Sequence, residues 1–194
     1  MDKKEEFIEI YKSNIKRDGA DKLLEWLEKS DFFTCPASAK FHNNFEGGLV
    51  DHSINVYKRL KKMIIAEYGE NYTEKVSDES IAIMGLLHDV CKVGVYKVDT
   101  KNVKVDGVWV QQPYFLAQDD LPYGHGEKSV YIISGFMKLT REEAMAINWH
   151  MGGFDMRVRG GSYAISDAYH QFPVALLLAN ADMMSTYLDE KTIK

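Results

Sequence analysis

The sequence predicts an all-α fold, a helical bundle that carries one small β-hairpin as an insertion at about residues 93–116. Three observations predict it. Apolar residues recur at helical spacing through the first thirty residues and again at 49–68, 81–90 and 172–188. Alternating valines occur in one place, on either side of Asp106-Gly107. Four prolines punctuate 194 residues, and no internal repeat or low-complexity tract stands out.

Each element follows from its own residues. Phe7, Ile8, Ile10, Tyr11 and Ile15, then Leu23, Leu24, Trp26 and Leu27, make a helical extension at about 1–30, divided in two at Asp18-Gly19. Residues 31–48 hold Pro36, Asn43, Asn44, Gly47 and Gly48 and read as an ordered loop. Val50, Ile54, Val56, Tyr57, Leu60, Ile64 and Ile65 describe an amphipathic helix over 49–68, with Lys58, Arg59, Lys61 and Lys62 outside. Ser77 is an N-cap for a short, very apolar helix at 81–90. Val93, Val95, Val98, Val103, Val105, Val108 and Val110 with Asp106-Gly107 between them form the hairpin. Helix returns over 124–139, and Thr140-Arg141-Glu142-Glu143 has the form of a capping box opening another. Residues 151–162, rich in Gly and Arg, read as a mobile loop. The last element is an apolar helix at 172–188, entered through Pro173.

Length and composition bound the function. A chain of 194 residues is one domain, here 1–194, and buries roughly 70% of its unfolded surface without disulfide or structural zinc. Lys and Arg number 24 against 29 Asp and Glu, a net charge of −5, which argues against broad binding of a nucleic-acid backbone. A small anion in a local pocket remains compatible with it. No apolar run approaches the ~20 residues of a membrane span. The charged start lacks a signal-peptide core, and Cys35 and Cys91 stand far apart outside any CxxC pair. A cytoplasmic protein without disulfides is the expectation.

The chemical anomaly is ionisable groups inside apolar helices. His88-Asp89 ends the run Ile-Ala-Ile-Met-Gly-Leu-Leu, and Asp182 sits within Val-Ala-Leu-Leu-Leu-Ala-Asn-Ala-Asp-Met-Met. A carboxylate out of water costs several kcal/mol unless paired or metal-bound. From these residues alone, a helix-end His-Asp pair and a solvent-facing Asp182 explain the pattern equally well.

His88-Asp89, followed by Val90-Cys91-Lys92, resembles the His-Asp signature of the HD-domain metal-dependent phosphohydrolase superfamily. The resemblance extends upstream to Gly47-Gly48-Leu49-Val50-Asp51-His52, where that superfamily places its first histidine, and downstream to Ala179-Asn180-Ala181-Asp182, its final aspartate. It implies an HD-domain helical bundle in which His52, His88, Asp89 and Asp182 hold a divalent cation. Nitrogen and carboxylate donors suit Mn, Fe, Co, Ni, Zn or Mg without distinguishing them. Some subfamilies add two histidines in the interval that holds His125 and His150, and bind a second metal bridged by the first Asp. Two ions are therefore expected, with Asp89 shared. His42 stands near the Gly-Gly pair and is a weaker candidate; His170 reads as structural.

The resemblance also implies the reaction, hydrolysis of a phosphomonoester or phosphodiester of a nucleotide or short oligonucleotide by a metal-activated water. Asp89 and Lys92 are its catalytic candidates, Asp89 orienting the nucleophile and Lys92 meeting a phosphate oxygen. Lys92, Lys128, Arg157 and Arg159 are the substrate-binding candidates, Lys92 being equally readable as a solvated helix-end lysine. The 151–161 loop has the hinges and charge of a lid. No Gly-Tyr-Pro tripeptide marks the cyclic-dinucleotide class, and there is no room for stringent-response synthetase domains. Gly-Gly-Leu-x-x-His looks most like the HD domains of bacterial 3′–5′ exoribonucleases, whose separate RNA-gripping domain is missing here. Two alternatives stand: a single-strand 3′–5′ exonuclease using hairpin aromatics such as Trp109 and Tyr114, and a non-catalytic metal- or nucleotide-binding regulatory module. The expected partner is a small phosphorylated molecule, with no membrane, long nucleic acid disfavoured, and self-association left open.

Overall fold

Asp2 and Glu5 close a capping box that starts the first helix, α1 (Lys3–Asn14), in a computed structural model that describes residues 2–190. Gly19, at φ +88, turns the chain into α2 (Ala20–Lys29), and the Tyr11 hydroxyl donates to the Ala20 carbonyl across the break. Phe7, Tyr11, Leu23 and Leu27 are buried in the same apolar cluster as the helices that follow, so this extension closes one side of the common core.

The centre of that core is α3 (Gly48–Tyr68), which packs against α4 (Asp78–Leu87) and α9 (Pro173–Met184). Ser77 caps α4 by accepting from the Ser80 N–H. Every side chain from Ile81 to Leu87 is buried, so α4 has no polar face over this run. Gly85 is where α3 and α4 come closest: a Cβ there would lie 2.5 Å from the Tyr57 Cα. That contact lets the two helix backbones touch.

After a 3₁₀ turn at Val90–Lys92, strands β1 (Tyr96–Val105) and β2 (Val108–Ala117) pair antiparallel with Val105 opposite Val108. Asp106 and Gly107 both have positive φ, the conformation a two-residue hairpin turn requires. The hairpin begins and ends slightly later than its valines predict. Its residues are mostly exposed, Val98 at 69% and Trp109 at 68%, and only a few such as Tyr96 and Phe115 are half-buried. Nothing among the described residues covers either face of its outer half.

α5 (His125–Ser134) ends at Gly135, short of the predicted Leu139. Thr140 and Glu143 form the expected capping box at α6 (Arg141–Asn148). The predicted mobile loop at 151–162 is instead a 3₁₀ turn at Gly152–Phe154 and a short helix, α7 (Met156–Arg159), capped by the Asp155 side chain. A further helix, α8 (Ala164–Gln171), is only eight residues long and lies between the Gly160-Gly161 pair and Pro173, and the sequence reading does not include it. α9 stops at Met184 and the chain continues through a π turn at Ser185–Asp189. Among the described residues the fold is helical except for the one hairpin, as expected.

Candidate metal centre

Backbone close approaches bring the titratable residues together. Gly47, at φ +78, and Gly48 open α3 against the preceding loop; a Cβ on Gly48 would sit 1.9 Å from the Asn43 carbonyl oxygen. His52 therefore lies one turn into α3, buried. His88 caps the end of α4 and Asp89 follows it, both buried. The Cys91 N–H donates to Ser129 Oγ, tying this turn to α5. His125 opens α5 and His150 follows the end of α6; those helices meet at Gly126, where a Cβ would lie 2.3 Å from the Asn148 carbonyl oxygen. Asp182 comes from the last turn of α9.

The resulting geometry has two halves that share one carboxylate. On one side, His52 Nε2 lies 3.1 Å from His88 Nε2 and 3.3 Å from both Asp89 Oδ2 and Asp182 Oδ1, and His88 Nε2 is 3.6 Å from Asp89 Oδ2. On the other, Asp89 Oδ1 lies 2.8 Å from His125 Nε2 and 3.4 Å from His150 Nε2. The two oxygens of Asp89 thus face different histidine pairs. Lys92 Nζ donates to Asp89 Oδ2 at 2.6 Å.

These donors fit divalent cations. Ligands each ~2.1 Å from one ion lie about 3.0 Å apart at right angles and about 3.4 Å apart in a tetrahedron, which brackets most of the spacings of the first group. The tautomers agree. His88 Nδ1 donates to the Gly85 carbonyl at 2.9 Å and His150 Nδ1 to the Ile147 carbonyl at 2.6 Å, leaving each Nε2 as a bare lone pair aimed inward. His150 Nε2 is buried with no hydrogen-bond partner. A buried acceptor in that condition requires a cation or a donor. Burial, reinforced by the neighbouring His150 and His52, pushes His88 down to about 3, although Asp89 opposes this, so the imidazole is neutral near pH 7 and fit to be a ligand. Burial would raise Asp182, but its hydrogen bond with His52 holds it well below the usual carboxylate range. Asp89 is held low against its own burial by Lys92 and the surrounding histidines.

All six expected metal residues, His52, His88, Asp89, His125, His150 and Asp182, converge here, and overlapping triads of them have donor atoms within 4.8 Å of one another. The substrate candidates are placed differently. Lys92 is inside the cluster, 9% exposed. Lys128 is buried and bound to Asp119 at 2.5 Å. The expectation that Arg157 meets a substrate does not fit its surroundings. Its five N–H groups are taken by Asp155, Glu127, Asn148 Oδ1 and the Asn148 carbonyl, and its guanidinium lies 3.8 Å over the Trp149 ring. It braces the turn that carries His150. Arg159 is exposed and stands over Phe154, and His170 is exposed on α8.

Sequence reasoning missed Glu190. Its carboxylate, with no exposed surface, meets His52 Nδ1 at 2.7 Å and His42 Nδ1 at 2.5 Å. Burial would raise Glu190, yet the hydrogen bonds from His42 and His52 hold it down to about 2. Acidic residues after a helix are ordinarily solvated, so no local signal marks this one.

The sequence pattern of the HD domain matches residues 49–187, a span that contains all six converging residues. No curated protein and no solved structure matches the chain.

Proposed function

Because the chain belongs to the HD-domain family of metal-dependent phosphohydrolases, we propose that it hydrolyses a phosphate ester of a nucleotide or a short oligonucleotide at this centre. The observation that carries the reading is Asp89, whose two oxygens address two separate histidine pairs. That is the arrangement two adjacent divalent cations would need. When bound, such cations supply Lewis acidity, making water acidic enough to attack near neutral pH and drawing charge from phosphate oxygens.

The side chains supply the rest. His52, His88 and Asp182 would hold one cation with Asp89 Oδ2, and His125 and His150 the other with Asp89 Oδ1. Lys92 Nζ, which donates to Asp89 Oδ2, is the cationic side chain at the cluster and is the group to neutralise a phosphate oxygen brought beside that carboxylate. His125 is the open edge of the cluster, its side chain 35% exposed while His52, His88 and His150 are enclosed, so the substrate approaches past α5. The net charge of −5 favours a small substrate drawn in locally over a long backbone.

A second reading has one observation in its favour: Trp109, exposed and paired across the hairpin with Lys104, offers a stacking face beside a cation. That would suit a single-strand exonuclease. Metal-replete protein assayed for phosphate release from a panel of nucleoside mono- and triphosphates, bis(p-nitrophenyl) phosphate and single-stranded RNA separates the readings. Turnover of mononucleotides without steep salt dependence supports the first. Salt-sensitive degradation of RNA alone supports the second, and no turnover of any of them overturns both.

A further inference from the structure

We propose that Glu190 is a positioning residue of the metal centre, holding His52 in the orientation and tautomer that present Nε2 to a cation, and that His42 clamps Glu190 in turn. The inference rests on the phosphohydrolase reading of the site and adds to it a layer of residues that touch no cation themselves.

Three observations support it. First, His52 is the member of the enclosed histidine pair whose Nδ1 has no backbone acceptor. His88 and His150 each donate Nδ1–H to the carbonyl three residues earlier, whereas His52 meets the carboxylate of Glu190 at 2.7 Å. A carboxylate on the far nitrogen fixes the tautomer and makes the ring a stronger donor than a carbonyl does. Second, both oxygens of Glu190 are used, one by His52 and the other by His42, on a side chain with no exposed surface. The two spacings, 2.5 and 2.7 Å, are hydrogen-bond lengths. Each oxygen of Glu190 is taken by one histidine nitrogen, and His52 turns its other nitrogen, Nε2, toward Asp89 and Asp182, so the group is a relay of side chains leading to the cluster. Third, the residue before it is anchored independently. Arg59, on α3 seven residues beyond His52, makes a two-pronged pair with Asp189 at 2.8 and 2.6 Å. The same helix that carries the ligand thus also holds the segment that orients it.

Calorimetric titration with Zn²⁺ and Mn²⁺ of the full chain, beside nitrogen-15 spectra of the histidines in the Zn²⁺-loaded protein, tests this without reference to turnover. The loaded protein should show His52 protonated on Nδ1. Glu190→Ala should weaken Zn²⁺ binding by about 10–100-fold, the usual effect of losing such a partner. Glu190→Gln, which keeps the shape and an acceptor without the charge, should fall between, and His42→Phe should cost less than Glu190→Ala. Unchanged affinity in Glu190→Ala, or a bare Nδ1 on His52 in the unaltered loaded protein, overturns the role of Glu190 alone. Failure of the unaltered chain to take up any divalent cation overturns the function proposed above as well.

Discussion

Replacing Gly85 by alanine tests whether the contact between α3 and α4 sets the spacing of the ligands. The added Cβ would lie 2.5 Å from the Tyr57 Cα and 2.9 Å from its Cβ, against about 3.4 Å for an ordinary contact. The helices must separate by roughly 0.9 Å, and neither can yield by rotating a flexible side chain because the obstruction is backbone. Overpacking of this kind costs about 1–3 kcal/mol, while alanine returns ~1 kcal/mol of helix preference. Metal-free stability should therefore fall by about 0–2 kcal/mol. The larger effect is at the centre. Tyr57 is five residues beyond His52 and Gly85 three before His88, so the 3.1 Å between the two Nε2 atoms should open toward about 4 Å. Ligand distances tolerate only ~0.2 Å. Zn²⁺ affinity should drop about tenfold or more, ~1.4 kcal/mol per factor of ten. Urea unfolding in EDTA and calorimetric Zn²⁺ titration measure the two effects, with Gly153→Ala as a control because its Cβ would meet open space. Wild-type affinity together with unchanged or higher stability in Gly85→Ala would refute the reasoning.

Other outcomes follow from the same geometry. Asp89→Ala should abolish both metal occupancy and turnover, and should also lower metal-free stability by on the order of 3 kcal/mol, since it strands the Lys92 ammonium with little exposure; retention of metal, read by elemental analysis, would defeat the site. His125→Ala should reduce the bound metal from two equivalents to one, and unchanged stoichiometry would defeat the second ion. Away from the centre, Glu143 has no exposed surface and is gripped by Arg17 at 2.8 and 2.9 Å. Burial alone would raise its carboxyl, but Arg17 and the Thr140 N–H hold it below the ordinary 4.5. The native state then releases the proton more readily than the unfolded chain. Glu143 stabilises the fold fully above pH ~4.5 and less as the pH falls through its lower native value. Arg17→Met should cost about 3–5 kcal/mol at pH 7. It should also reverse that local slope, because a buried unpaired carboxyl prefers its proton; parallel stability-versus-pH curves for the two proteins would contradict the pairing.

The parts legible in the sequence are those whose cause is local. Ser77, Asp106-Gly107 and the Thr140–Glu143 box announce their own turns and caps, and each is found in place. His52, His88, Asp89 and Asp182 were legible as a group because ionisable side chains in apolar helices need partners, and the family's order of residues says which ones. Features that depend on distant partners were not legible. Glu190 reads as a solvated charge until His52, 138 residues away, comes against it. Gly and Arg content in 151–162 suggests motion, but Glu127 on α5 and Trp149, just past the end of α6, bind Arg157. The valines of the hairpin announce its strands, but their alternation carries no information on whether a partner layer exists.

The spread of the donors along the chain sets when a cation can be captured. Only His88 and Asp89 are neighbours; His52 lies well before them and Asp182 well after. An unfolded or partly synthesised chain therefore offers a passing ion little more than a two-residue chelate. The full set of donors exists only once α9 has docked on α3. A cation bound there would favour the finished fold over its precursors, because the unfolded chain gathers few of these donors in one place. A cation held at this centre would therefore be one met by the folded protein and not one met while the chain was being made.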